Sequence, residues 1–249
     1  MPVTPSWNGK GKRKSDNMFK RDLPNGPDVW VLCDFDGTTS VRDVQNMLLD
    51  HFLGEDWRKI VQAALAQGKK SSEYMPRIYT DWRTTREEMI RVIDEKAQID
   101  PYFPEFVAYC QQKGYHLEIV SDGLDIYINH LLAKEKLDFI PFTSNRLVFD
   151  NDKARIESPF QSDFCGLCGN CKKQRVLAAR KADAQCVVYV GDGISDECPA
   201  AISDVVFAKD RLLAYCQEHH IPAQPFVDFS QVLEAFPRAL DEYWVSVTK

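Results

Sequence analysis

The chain has 249 residues, 44% hydrophobic and 27% charged, which suits one large α/β domain or a core domain carrying a smaller insert. No apolar run approaches the roughly 20 residues of a membrane helix. The first strand is preceded by no apolar secretory signal, so a cytoplasmic setting without a membrane partner is expected. The net charge of −6 is uneven: residues 1–27 carry six Lys/Arg and two Asp, which leaves an acidic body of −10 that argues against nucleic acid as a partner.

In chain order, residues 1–27 read as a flexible basic extension containing the run GKGKRK (Gly9–Lys14). Pro24, Gly26 and Pro27 mark the entry to a buried strand, Val29–Cys33, which ends in Asp34, Asp36, Gly37 and Thr38. Residues 41–99 then show four helical stretches and no strand. One carries Val41, Val44, Met47 and Leu48, a second Trp57, Ile60, Val61 and Ala64, and a third Tyr74, Ile78, Tyr79 and Trp82. The fourth opens on a capping-box signature, Thr84–Thr85 followed by Glu87–Glu88. A βαβ crossover needs only one helix, so the excess reads as a helical module inserted into the core.

A helix Tyr102–Lys113, closed by Gly114, precedes a second strand, His116–Val120, that ends in Ser121, Asp122 and Gly123. A helix from about Leu124 to Lys136 and a two-stranded hairpin over 143–158 follow. The loop CGLCGNC leads into a helix Lys172–Lys181. A third strand, Cys186–Val190, ends in GDGISDE, Gly191–Glu197. A strand Val205–Ala208, a helix Arg211–Glu218, the segment Phe226–Phe229 and a helix Gln231–Phe236 finish the chain. The domains expected are therefore a core of 28–40 and 100–249 with 41–99 inserted.

Three strands thus end in functional groups: Asp34 and Asp36, then Ser121, then Asp192 with Asp196 four residues on. Parallel strands bring their carboxyl ends to one edge, where α/β sheets bind ligands. Four carboxylates there repel one another and call for a counter-charge. A hard divalent cation such as Mg²⁺ fits an oxygen-rich set, and Lys172 supplies a second positive charge. Such a site suits phosphoryl transfer.

DFDGT, a Ser after a second apolar strand, a Lys, and GDGxxD, in that order, resemble the four motifs of the haloacid dehalogenase superfamily of aspartate-nucleophile phosphatases. The resemblance implies a doubly wound, Rossmann-like core with a helical cap inserted after the first strand, as in the phosphoserine-phosphatase branch. It implies Mg²⁺ as cofactor and a small-molecule phosphomonoester as substrate. Mapped onto this chain, it makes Asp34 the nucleophile and Asp36 the acid and base. Ser121, Asp122 and Gly123 with Lys172 would hold the phosphate. Asp34, Asp36 (through its carbonyl) and Asp192 would take the metal, with Asp196 acting through a metal-bound water or orienting the site. Lys173 is an alternative to Lys172, which the family pattern of a lysine directly after a cysteine favours. CGNCK, YVGDGISDECPAA and VVFAKDRLLAYCQEHHIP further resemble the 2-hydroxy-3-keto-5-methylthiopentenyl-1-phosphate phosphatases, and GDGxxDxCP also resembles phosphocholine/phosphoethanolamine phosphatases.

Cys165, Cys168 and Cys171 have ligand-like spacing, but three cysteines leave a zinc site one ligand short, with Cys198 the remote fourth candidate. A reduced Gly-rich loop that places Lys172, or a disulfide between two of the three, are the other readings. In the inserted helices Arg42 and Asp43 stand where the chain leaves the catalytic loop and are the candidates for contact with substrate. Arg83 and Arg86 are weaker candidates, and Trp57, Tyr74 and Trp82 fill a helical core or line a pocket.

Overall fold

The apolar runs read from the sequence become neighbouring strands of one sheet. The computed structural model describes residues 27–69, 71–79, 82–150, 153–161 and 168–248. The first 26 residues, Asn151, Asp152 and Cys165 lie outside the described residues. Among the described residues the sheet has seven strands, β1 (Val29–Cys33), β2 (His116–Leu124), β3 (Phe142–Asp150), β4 (Lys153–Glu157), β5 (Cys186–Gly191), β6 (Val205–Ala208) and β7 (Gln224–Pro225). They lie in the order β4-β3-β2-β1-β5-β6-β7, parallel except for the β3–β4 hairpin.

β1 sits at the centre with both faces covered. Val29, Val31 and Cys33 pack with Phe103, Phe106 and Cys110 of α5 (Phe103–Lys113) and Phe236 of α10 (Phe229–Val247) on one face. Leu32 packs with Val176 of α7 (Lys172–Lys181) and Leu212 of α9 (Asp210–Glu218) on the other, the short α8 (Glu197–Ala200) lying between these two helices in the chain. This two-faced burial is why the strand reads as a continuous apolar run. Cys33 aligns with Ile119 of β2 and Val190 of β5, so Asp34, Ser121 and Asp192 leave adjacent strands at the same edge.

Four helices separate β1 from α5: α1 (Val44–Leu53), α2 (Trp57–Leu65), α3 (Ser71–Tyr79) and α4 (Arg86–Lys96). The outgoing and returning chains lie side by side, with the amide of Val41 donating to Gln98 (3.1 Å) and that of Asp100 to Thr39 (2.9 Å). Asp43 caps α1 by accepting from the Asn46 amide at 2.7 Å, and Thr85 caps α4 by accepting from Glu88 at 3.2 Å. Both caps satisfy amides that the first helical turn leaves without a partner.

Two elements differ from expectation. The first half of β3 is a core strand, pairing parallel with β2 at Ile119–Phe142, before it turns into the hairpin. An isolated hairpin offers little burial, whereas a strand docked on β2 shares its core. The last helix does not stop before Pro237 but runs on to Val247. Proline removes one backbone bond, yet Phe229, Val232, Phe236, Ala239 and Leu240 keep one buried face across it. In addition, α6 (Asp125–Lys134) begins after β2 has run past Ser121 to Leu124.

Candidate active site

Asp34 continues the β1 ladder by one bond, its amide donating to Val190 at 2.9 Å. Its carbonyl accepts from the Thr39 hydroxyl at 2.6 Å, which closes the turn Phe35–Thr39 beneath it. Gly37 has φ +75°, and a Cβ there would stand 2.6 Å from Asp192 Oδ2, so both backbone and space require glycine. Thr38 is buried and donates to Asp192 Oδ1 at 2.8 Å, tying the first and last motifs together.

Lys172 is the first residue of α7 and is fully enclosed. Its ammonium spends three donors on Asp34 Oδ1 (2.6 Å), Ser195 Oγ (2.7 Å) and Asp196 Oδ1 (2.7 Å). Lys173, one residue on, is half-buried. Asp196 is engaged at both oxygens: Oδ1 also accepts from Tyr189 at 2.6 Å, and Oδ2 accepts from the amides of Asp192 (3.0 Å) and Gly193 (2.9 Å).

Burial pushes the Lys172 ammonium toward neutrality, but the charges of Asp196 and Asp34 outweigh it, so the lysine stays charged. One cation does not balance three acids. Burial, and then the charge of Asp196, hold the Asp34 carboxyl well above the usual range despite Lys172. Burial and Asp196 likewise push Asp192 up to about 6. Asp34, Asp192 and Asp196 offer oxygens within 4.8 Å of one another. That uncompensated, all-oxygen set fits a hard divalent cation. With Asp196 already engaged, Asp34 and Asp192 are the carboxylates with oxygens to spare.

Asp36, two residues from Asp34, has a different environment. Oδ1 accepts from the first-turn amides of α1, Val44 at 2.9 Å and Gln45 at 3.3 Å, and Oδ2 accepts from the hydroxyl of Tyr127 on α6. Burial, followed by the charge of Asp43, pushes its carboxyl up to about 8. It therefore holds a proton at neutral pH, unlike an ordinary aspartate. Gly123 packs against this pair, and a Cβ there would overlap the Tyr127 hydroxyl and the Asp36 carboxylate. Gly123→Ala is expected to cost about 1–3 kcal/mol of stability, read as a lowered urea midpoint.

Ser121 is fully buried, its Oγ accepting from the Gly123 amide at 2.9 Å. Asp122 is a structural hub. Its Oδ1 accepts from the Asn170 amide (2.7 Å) and Asn145 (3.0 Å), and its Oδ2 accepts from Ser71 at the start of α3 (2.8 Å). Asn170 also donates to the Ser121 carbonyl at 2.6 Å. The end of the cysteine loop is thereby fastened to β2, and Lys172 follows two residues later. Cys168 and Cys171 lie buried together in that loop.

Arg42 is exposed, and with Asp43, Asn46, Met47, Asp50, His51 and Lys96 it lines an open groove of about 760 Å³ beside α1. None of Asp34, Asp36, Asp192 and Asp196 lines that groove. The carboxylate of Asp43 holds Asn46 through both backbone and side chain. Sequence reasoning missed Tyr127, Thr38, Asn145 and Asn170. Each resembles an ordinary core or turn residue until the strands are assembled.

A family described as Putative Phosphatase matches residues 29–221, the span from the first strand through α9. The chain belongs to this Putative Phosphatase family. Proteins similar to it include the 2-hydroxy-3-keto-5-methylthiopentenyl-1-phosphate phosphatases of Geobacillus thermodenitrificans and Bacillus velezensis. The first is 30% identical, covering 84% of this chain and 95% of that protein. The second is 29% identical, covering 81% and 87%. In fold, the chain is similar to a phosphoserine phosphatase solved as a phospho-aspartyl intermediate analogue. The TM-score is 0.65 at 19% identity, over 84% of this chain and 99% of that one. A haloacid dehalogenase family hydrolase from Salmonella enterica serovar Typhi matches with a TM-score of 0.64 at 19% identity, over 80% and 67%. The α/β architecture with helices inserted after the first strand, indicated by the four motifs, therefore holds. No described helix is long and apolar enough to cross a membrane.

Proposed function

We propose that the chain is a Mg²⁺-dependent phosphomonoesterase of the cytoplasm that hydrolyses a small phosphorylated metabolite through phospho-Asp34. The similar proteins named above suggest a substrate akin to 2-hydroxy-3-keto-5-methylthiopentenyl 1-phosphate. The observation that carries the reading is the unequal treatment of two neighbouring aspartates. Asp34 is paired with a buried lysine at 2.6 Å, whereas Asp36 is raised to about 8 beside a tyrosine and a helix start.

Those environments assign different work. Asp34, in its ionised form, attacks phosphorus through the oxygen not given to the lysine. The P–O bond to the leaving group breaks as the P–Oδ bond forms, and Asp36 delivers its proton to the departing oxygen. Asp36, now a base, takes a proton from water, which attacks phosphorus and releases phosphate and the Asp34 carboxylate. Ser121 and the amides beside it would hold the phosphoryl oxygens, with Lys172, its three donors engaged by protein groups, adding positive charge. Asp34, the carbonyl of Asp36 and Asp192 would hold Mg²⁺, with Asp196 fixing the Asp192 backbone and the lysine. When bound, the ion supplies positive charge against the phosphoryl oxygens. We take residues 41–99 as the cap that closes over the site and excludes water.

Two results test this. Purified protein should hydrolyse p-nitrophenyl phosphate, lose that activity in EDTA and regain it with Mg²⁺; full activity in chelator would refute the metal assignment. Without metal, the raised Asp192 carboxyl implies stability that is lost as pH rises from about 4 through about 6. Asp192→Asn should therefore stabilise the metal-free protein at pH 7 by about 1–3 kcal/mol. It should also remove the increase in thermal midpoint that Mg²⁺ gives the native protein. A metal-induced shift of undiminished size in this variant would exclude Asp192 as a ligand.

A further inference from the structure

Any proton that Asp36 gives or takes passes through one of its two carboxyl oxygens, and the two are held differently. Oδ1 accepts from two amides, Val44 at 2.9 Å and Gln45 at 3.3 Å. A carboxyl oxygen has two lone pairs, so Oδ1 is fully engaged. Oδ2 accepts from a single donor, the hydroxyl of Tyr127. It keeps one direction open, and a proton exchanged with another molecule is exchanged there.

Gly123 shows where that oxygen stands. A Cβ on Gly123 would overlap both the Tyr127 hydroxyl and Asp36 Oδ2, so the pair lies directly against this residue. The Gly123 amide donates to Ser121 Oγ at 2.9 Å. Oδ2 is therefore beside the loop that would hold the phosphoryl group. The aspartate χ2 torsion is broad, and two amides on one oxygen leave the other free to rock about it. The phenol is fixed by contrast. Tyr127 is fully buried, and its ring meets that of Phe35 with centroids 5.8 Å apart. The first residue of its helix, Asp125, accepts from the Leu147 amide of β3 at 2.9 Å.

Resting on the phosphatase reading, we propose that Tyr127 is a positioning residue whose hydroxyl aims Asp36 Oδ2 at the leaving-group oxygen. The Oδ2–H bond breaks as the proton passes to the departing oxygen, and its electron pair stays on Oδ2. The proton later taken from water returns to the same atom. Tyr127 keeps its own proton throughout and donates to Oδ2 before and after the transfer, so it acts only through Asp36.

The test compares native protein and Tyr127→Phe on two aryl phosphates of similar shape. Phenolate leaving phenyl phosphate is as basic as that of tyrosine, with a pKa of about 10, and departs slowly without a proton. p-Nitrophenolate is a far weaker base and needs little help. The ratio of kcat/KM for p-nitrophenyl phosphate over phenyl phosphate should therefore widen by about tenfold or more in Tyr127→Phe. On p-nitrophenyl phosphate kcat should fall further than kcat/KM, because kcat includes hydrolysis of phospho-Asp34, in which Asp36 is the base. In an Asp36→Asn background, Tyr127→Phe should add little further loss on phenyl phosphate. An equal fall on both substrates overturns the proposal, as does a full further loss in the Asp36→Asn background. A Tyr127→Phe protein without a cooperative urea transition also overturns it, since the hydroxyl would then be a structural group. If the native protein hydrolyses neither aryl phosphate, the phosphatase reading itself falls, and this proposal with it.

Discussion

Replacing Asp34 with asparagine should lower kcat on p-nitrophenyl phosphate by on the order of 10³-fold or more, while the thermal midpoint of the metal-free protein holds or rises. An amide is nearly the same shape as a carboxylate but does not form the covalent bond to phosphorus. The stability expectation follows from the charge count around Lys172. Burial and the charge of Asp196 already disfavour the ionised Asp34 carboxyl. The substitution removes a repelling charge yet leaves an oxygen to accept from Lys172, which still pairs with Asp196 at 2.7 Å. A catalytic group that destabilises its own fold is the pattern expected where activity and stability are in competition. Undiminished turnover in Asp34→Asn would sink the nucleophile assignment. Loss of activity with a lowered midpoint would mean that Asp34 acts as a structural acid.

The parts of this site that were readable in the sequence are those attached to punctuation in the hydrophobic pattern. Asp34, Ser121 and Asp192 each follow an apolar run, and Lys172 opens a helix. Strand ends are visible because burial on both faces writes a continuous apolar word that polar residues terminate. The residues that tune the site carry no such mark. Tyr127 lies on α6 among Ile126, Ile128 and Leu131, where an aromatic residue is ordinary core, and its hydroxyl finds Asp36 across 91 positions. Thr38 and Asp192 meet across 154. Such partners are set by strand order, which a single chain does not display. The same limit explains β3: its hairpin is local and legible, whereas its pairing with β2 is not. The helix after Asp228 is longer than its local sequence indicates for the opposite reason. Pro237 is a strong local stop signal, and the continuous buried face of α10 overrides it.

Lys172→Met should be the most destabilising single substitution at the site, by about 3–5 kcal/mol, and should abolish activity as well. Methionine nearly matches the volume of the lysine stem, so packing is not the cause. Loss of the ammonium leaves Asp34 and Asp196, 6% and 0% exposed, without the cation that serves them both. Burial already disfavours the charged form of Asp34, and without the lysine that charge meets only the repulsion of Asp196 and Asp192. Lys172→Arg should not restore function, because a planar fork does not reproduce three divergent bonds to Asp34, Ser195 and Asp196. Lys173→Met should leave both the urea midpoint and kcat near native, since that neighbour is only half-buried. Combining Asp34→Asn with Lys172→Met should recover part of the lost stability, because the double variant leaves one unbalanced buried acid beside the lysine position rather than two. Additive losses in the double variant would show that Lys172 stabilises the fold by contacts other than its charge. A large effect at Lys173 with none at Lys172 would move the catalytic lysine by one residue.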